Sequence, residues 1–111
     1  MSIKQGDIYL ADLNPAKGHE QSGFRPVLIM QNNLLNENLS TAIIAPITSN
    51  LSAQGKLTTH FLPKNISKLN QDSVVLLFQM RTLDKGRLQK KITNLGQDEI
   101  LKIKSQLKFI F

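Results

Sequence analysis

The chain has no cysteine and no tryptophan, and its 111 residues include one tyrosine and eight acids. Without cysteine there is no disulfide framework, thiolate metal site, iron–sulfur cluster or thiol nucleophile. The acids are scattered and form no paired-carboxylate motif. The two histidines, His19 and His60, stand far apart without metal-ligand spacing. The longest apolar run is the five residues 74–78, against about 20 for a membrane-crossing helix. The opening Met1-Ser2-Ile3-Lys4-Gln5-Gly6-Asp7 lacks the apolar stretch of a secretion signal. The expectation is a cytoplasmic protein with no membrane partner. Gly18 and Gly23 are spaced like the glycines of a phosphate loop. Phe24-Arg25 follow them, where that loop needs Lys-Ser/Thr.

What is present is positive charge, unevenly placed. Fourteen basic residues give a net charge of +6. Residues 1–55 carry a net −1 and residues 56–111 a net +7. A basic half of this kind suits an anionic partner. Eleven of the cations are lysine, and only Arg25, Arg81 and Arg87 are arginine. Arginine differs in kind, because its planar fork matches phosphate or carboxylate geometry.

A chain of this length makes one domain. Short apolar runs separated by Gly, Pro, Asn and Ser favour strands through the first eighty residues. Strands are expected at 7–12, 25–30 and 41–48, with a polar loop at 14–23 and a turn or short helix at 32–38. Pro46 cannot donate to a ladder, so an edge or bulge is expected there. A weaker edge strand is expected at 58–62, stopped by Pro63. The strongest strand spans 72–80, and 88–92 returns to the sheet. Period-two alternation would put Gln79 and Arg81 on one strand face. After Asn94-Leu95-Gly96, Ile100, Ile103, Leu107 and Ile110 recur at helical spacing, with Asp98 and Glu99 in the first turn. The fold class is mostly β with a C-terminal helix, arranged as a small antiparallel barrel.

Four stretches carry more specific information. They are Gly6-Asp7-Ile8-Tyr9-Leu10-Ala11-Asp12-Leu13-Asn14-Pro15, Lys17-Gly18-His19-Glu20-Gln21-Ser22-Gly23-Phe24-Arg25-Pro26-Val27-Leu28-Ile29, Ala45-Pro46-Ile47-Thr48-Ser49 and Gln79-Met80-Arg81-Thr82-Leu83-Asp84-Lys85. In this order they resemble the MazF/PemK family of toxin endoribonucleases from toxin–antitoxin pairs, from Gly6 to about Leu95. The resemblance implies an SH3-like barrel, a homodimer and sequence-specific cleavage of single-stranded RNA without metal or other cofactor. In that chemistry the RNA's own 2′-hydroxyl attacks the adjacent phosphate, leaving a 2′,3′-cyclic phosphate and a 5′-hydroxyl. The protein then has only to align the nucleophile, move protons and stabilise charge.

By the same resemblance Arg25 is the catalytic arginine and Thr48 the catalytic threonine. His19 and Glu20 fall in the loop before Arg25, where a histidine suits proton transfer. Lys17, Lys56 and Lys64 are candidates for phosphate contacts, with Ser49 an auxiliary and Gln79 a base contact. Arg81 and Asp84 read as a structural pair. Many relatives have an acid just before the glutamine, and this chain has Phe78 there, read as a core residue in preference to a base-stacking one. Phe24 reads as a base-stacking or dimer-packing residue. Lys90, Lys91, Lys102, Lys104 and Lys108 read as a solvated face or the landing site of an acidic antitoxin, through which DNA is reached only indirectly. Two other readings of the scaffold are a CcdB-like gyrase poison, which the missing tryptophan disfavours, and an inactive RNA- or DNA-binding barrel. The apolar end Phe109-Ile110-Phe111 is expected to be covered by protein.

Overall fold

The computed structural model describes residues 2–14 and 23–111. Strand β1 (Asp7–Asp12) pairs with β2 (Phe24–Ile29), which pairs with β3 (Thr41–Thr48) after the short helix α1 (Asn33–Asn38). Strand β4 (Thr59–Leu62), helix α2 (Lys64–Ser67) and strand β5 (Ser73–Leu76) follow. Strands β6 (Arg81–Asp84) and β7 (Leu88–Asn94) lead to helix α3 (Gln97–Gln106). All pairings are antiparallel, in the order β4-β5-β3-β2-β1-β7, with β6 added on β3. The sheet curls in the manner of a small barrel, with β4 and β7 as open ends.

The long strand β3 organises the rest. Its first half, Thr41 to Ile44, pairs with β6, and Ile47 and Thr48 pair with β5. Ala45 and Pro46 lie between, so the proline stands where no ladder bond on that side is lost. The expectation of an edge is therefore corrected: β3 is central, and Pro46 marks its change of partner. The same division corrects the expected strand at 72–80. It stops at Leu76, and Leu77–Gln79 form a 3-10 turn that carries the chain from one half of β3 to the other. The Leu77 N–H still donates to the Thr58 carbonyl (3.1 Å), in register with the β4–β5 ladder, and the turn closes with the Met80 N–H on the Leu77 carbonyl (3.3 Å). Phe78 falls in this turn and is 55% exposed, not core. Gln79 and Arg81 thus share no strand.

Alternation in the strands builds two apolar clusters, one on each side of the sheet. Tyr9, Ala11, Val27, Ile29, Ala42, Ile44, Leu83 and Leu88 meet on one side. Ile8, Leu28, Ala45, Ile47, Leu62, Val75 and Leu77 meet on the other, under Ile103 of α3. Gly6 lets the helix dock. A Cβ there would stand 2.3 Å from Ile100 Cδ1, and its φ of +89° suits glycine. His60 on β4 ties both ends of α3 to the sheet. Its Nε2 is 2.6 Å from Glu99 Oε2, and its Nδ1 is 2.6 Å from Gln106 Oε1. The Gln106 amide nitrogen donates to the Thr59 carbonyl (2.7 Å).

Asp7 is fully buried. Its carboxylate accepts from the Lys4 N–H (2.8 Å) and Asn94 Nδ2 (2.9 Å), and pairs with Lys91 Nζ (3.3 Å). Three hydrogen-bond or ionic partners make the burial of this charge tolerable. Ile110 packs against the second cluster, while Phe109 and Phe111 remain exposed. No described helix is long and apolar enough to cross a membrane.

Candidate active site

Arg25 and Thr48 are brought together by strand register. In the β2–β3 ladder Ile29 faces Ile44 and Val27 faces Pro46. Two residues further along each strand stand Arg25 and Thr48. Alternation puts both on the side of Val27 and Ile44, and opposed residues have Cβ atoms about 5 Å apart. On its other edge Thr48 pairs with Val74 of β5, and Arg25 pairs with Ala11 of β1. Each is therefore held by neighbours in a continuous sheet, although Arg25 itself is exposed.

Thr48 is buried, and its orientation is set locally. Its Oγ1 accepts the Asn50 N–H (3.1 Å). The Asn50 Oδ1 in turn accepts from the Ser52 N–H (3.1 Å) and hydroxyl (2.7 Å), starting the 3-10 turn Leu51–Ala53. A hydroxyl has one hydrogen to give and two lone pairs. Accepting from Asn50 uses a lone pair and leaves the hydrogen for a ligand oxygen.

The segment before Arg25 is tied at its base. The Leu13 N–H donates to the Gly23 carbonyl (2.9 Å), and the Gly23 N–H donates to Asn14 Oδ1 (3.0 Å). Arg87, from the β6–β7 connection, donates to the Asn14 carbonyl. Lys17, His19 and Glu20 lie outside the described residues.

Arg25, Pro26, Ile47 and Ser49 also line an open cleft of about 260 Å³. Its other wall comes from the segment after α2, with Leu69, Asn70, Gln71 and Ser73. None of these four was singled out from sequence. A polar segment after a proline-stopped strand carries no signal of what it will face. Lys64 lies near this end, since its N–H donates to Asp72 Oδ1 (2.9 Å), one residue from Ser73. Lys56 does not. The β4–β5 register puts Thr59 three strand residues, roughly 10 Å, from Leu62 and Ser73, and Lys56 lies beyond Thr59. Gln79 lies in the 3-10 turn between the two partners of β3.

Arg81 and Asp84 form no ion pair. Asp84 accepts the Gly86 N–H (2.7 Å), capping the turn into β7, and Arg81 has one buried guanidinium nitrogen without a partner. Phe24 is 62% exposed beside Arg25. The one clear perturbation of acidity among the described residues is at Tyr9. Burial pushes its phenol above the usual value, the Asp7 charge adds to the effect, and Lys91 opposes it.

A family model described as PemK-like, MazF-like toxin of type II toxin-antitoxin system matches residues 4–111. The curated Endoribonuclease MazF of Staphylococcus epidermidis is 45% identical over 106 residues, spanning 95% of this chain and 88% of that protein. The crystal structure of MazF (Form-I) from Deinococcus radiodurans matches with a TM-score of 0.82 at 24% identity, over 99% of this chain and 96% of that one. Mycobacterium tuberculosis toxin MazF-mt6 matches at 0.77 and 24% identity, over 93% of each chain. MazF in the MazE-MazF (Form-II) structure from Deinococcus radiodurans matches at 0.76 and 24% identity, over 99% and 96% of the two chains.

Proposed function

The chain belongs to the PemK-like, MazF-like family of type II toxins, and from that premise we propose that Arg25 and Thr48 handle the scissile phosphate of a single-stranded RNA. The activity is that of an endoribonuclease toxin. The observation that supports the residue assignment is the β2–β3 register, paired as far as Val27 and Pro46, which continued by two residues sets Arg25 opposite Thr48. A 2′-oxygen attacks the adjacent phosphorus while the bond to the 5′-oxygen breaks. One proton leaves the 2′-hydroxyl and one arrives on the departing 5′-oxygen. Negative charge grows on the non-bridging oxygens between these events. Arg25 offers a guanidinium fork to those oxygens and Thr48 its free hydroxyl hydrogen. Arginine keeps its proton because its pKa lies above about 12, so its part is electrostatic.

His19 and Glu20 enter as proton-transfer or base-reading groups and Lys17 as a phosphate contact, all on the grounds of sequence. Ser49 lines the Arg25 cleft and Lys64 lies near it, which supports an auxiliary part for each. Gln79, in the turn against β3, serves as a base contact, and Lys56, beyond Thr59, as a contact to a more distant phosphate. Phe24 and Phe78 suit stacking on unpaired bases, a contact worth about 1–3 kcal/mol.

The working form is a homodimer in the bacterial cytoplasm, neutralised by an acidic antitoxin. An apolar cleft of about 210 Å³ lined by Met30, Ile43, Met80, Leu107 and Phe111 supports the dimer. The surplus of lysine supports an acidic partner. The test is incubation with a long RNA in the presence of EDTA. Cleavage in wild type and none in Arg25→Ala is the expected result. Intact RNA in wild type, or chelator-sensitive cleavage, overturns the reading.

A further inference from the structure

The cleft at Arg25 does not end there. It shares Leu69 and Asn70 with a second cleft of about 370 Å³, lined also by Leu10, Lys68, Lys90, Lys91 and Ile92. The register shows how the two join. Ser49 lies beside Ser73 of β5, Pro26 pairs with Leu10, and Leu10 pairs with Lys90. The floor therefore crosses β5, β3, β2, β1 and β7 in turn. Four strand gaps of about 4.8 Å make a path of roughly 19 Å. The segment 68–71 forms a wall common to both halves.

The far half is cationic. No acidic residue lines it. Lys91 is committed to Asp7 at 3.3 Å. Lys90 is exposed, and among the described residues its side chain has no hydrogen bond or ion pair. Among the described residues, Lys68 donates from Nζ only to the Asn65 carbonyl (3.0 Å). Its backbone adds an independent sign. Lys68 is the one described non-glycine residue with positive φ, at +62°. It closes α2 at a place where glycine or asparagine usually sits. A side chain kept at such a position despite its backbone cost points to a use for that side chain.

The geometry points to an extension of the substrate site: Lys68 and Lys90 bind the RNA phosphates that flank the scissile one on one side. This rests on reading Arg25 as the group at the scissile phosphate. The floor residues Pro26, Ile47 and Leu10 alternate to the side of the sheet opposite Val27 and Ile44, Arg25 is the residue that lines the groove from the Thr48 side, and the groove's charge complements a phosphodiester chain. Lys68 and Lys90 act by positioning, adding affinity for a longer strand without touching the reacting atoms.

The test uses a cleavage site mapped on a long RNA. A short RNA trimmed to that site is compared with the same RNA extended by oligouridine at the 5′ or the 3′ end. The double variant Lys68→Gly, Lys90→Gln removes both charges, and glycine fits the positive φ, so the fold is expected to hold. One extension, and only one, should lower KM in wild type. The double variant should lose that gain about tenfold relative to its effect on the short RNA. Binding of the extended RNA carrying a 2′-deoxy sugar at the cleaved nucleotide reads the site without turnover. Its logarithmic salt slope should flatten by about 1.4, at about 0.7 per phosphate contact on a single strand. Equal losses on short and extended RNA, or no loss on either, overturn the proposal. So does weakened binding of an acidic peptide with RNA binding intact. If Arg25→Ala still cleaves, the reading of Arg25 fails, while the binding measurement on deoxy-substituted RNA still decides the groove.

Discussion

His60 of β4 stands 2.6 Å from the carboxylate of Glu99 on α3, across 39 residues of sequence. Glu99 is buried, so its charge is tolerable only with this partner and a longer contact to Lys102 (3.7 Å). Replacing His60 by alanine strands the carboxylate and leaves the Gln106 amide oxygen without its ring partner. A loss of about 2–4 kcal/mol is expected for His60→Ala, measured by urea unfolding. Glu99→Gln, which removes the charge but keeps the shape, should cost less. An unchanged midpoint in His60→Ala would refute the bolt between strand and helix.

Tyr9 is the only tyrosine, so its titration can be followed without ambiguity. Burial and Asp7 raise its phenol pKa in the folded state. The unfolded chain therefore loses this proton at lower pH than the folded protein does. Stability from this group is complete below about pH 10 and falls as pH rises through the folded value. Absorbance of the phenolate should appear late in the native protein, together with unfolding. Tyr9→Phe should remove that part of the alkaline loss.

Thr48 is held by the Asn50 N–H while its own hydrogen stays free for a ligand. Thr48→Val keeps the volume and deletes the hydroxyl. A fall in kcat of about 100-fold or more is expected, as for loss of one donor to a developing oxyanion. Stability should drop by only about 1 kcal/mol. Thr48→Ser should recover much of the rate. Equal rates for valine and wild type would remove Thr48 from the chemistry.

The dimer is expected to cover Phe111, which is 88% exposed beside the cleft of Met30, Ile43 and Met80. Light scattering at micromolar concentration should give twice the chain mass. Phe109→Ser with Phe111→Ser should shift the protein toward monomer. A monomeric wild type contradicts this.

The local rules of the chain explain which features were legible in its sequence. Strands β1 and β3 and helix α3 were readable because their alternation or helical spacing is written within each segment. The break after Leu76 was not, because it exists only to let β5 and β6 share β3. Strand β6 was missed for the same reason, since Arg81-Thr82-Leu83-Asp84 has one buried apolar residue. The break changes the period around Phe78, so alternation along the run does not place it in the core. At the site, Arg25 and Thr48 were named by motif, but their opposition is a property of register. The wall at 68–71 and the His60–Glu99 contact depend on partners distant in sequence and left no local trace.

The central claim is that Arg25 supplies charge stabilisation to a metal-independent cleavage driven by the RNA's own 2′-hydroxyl. The most direct measurement is analysis of the ends made on a defined RNA in EDTA by wild type and by Arg25→Ala. The account predicts 2′,3′-cyclic phosphate and 5′-hydroxyl ends from wild type. It predicts at least about a 100-fold slower reaction from a folded Arg25→Ala. Ends carrying a 5′-phosphate, or an Arg25→Ala protein cutting at the wild-type rate, would contradict it.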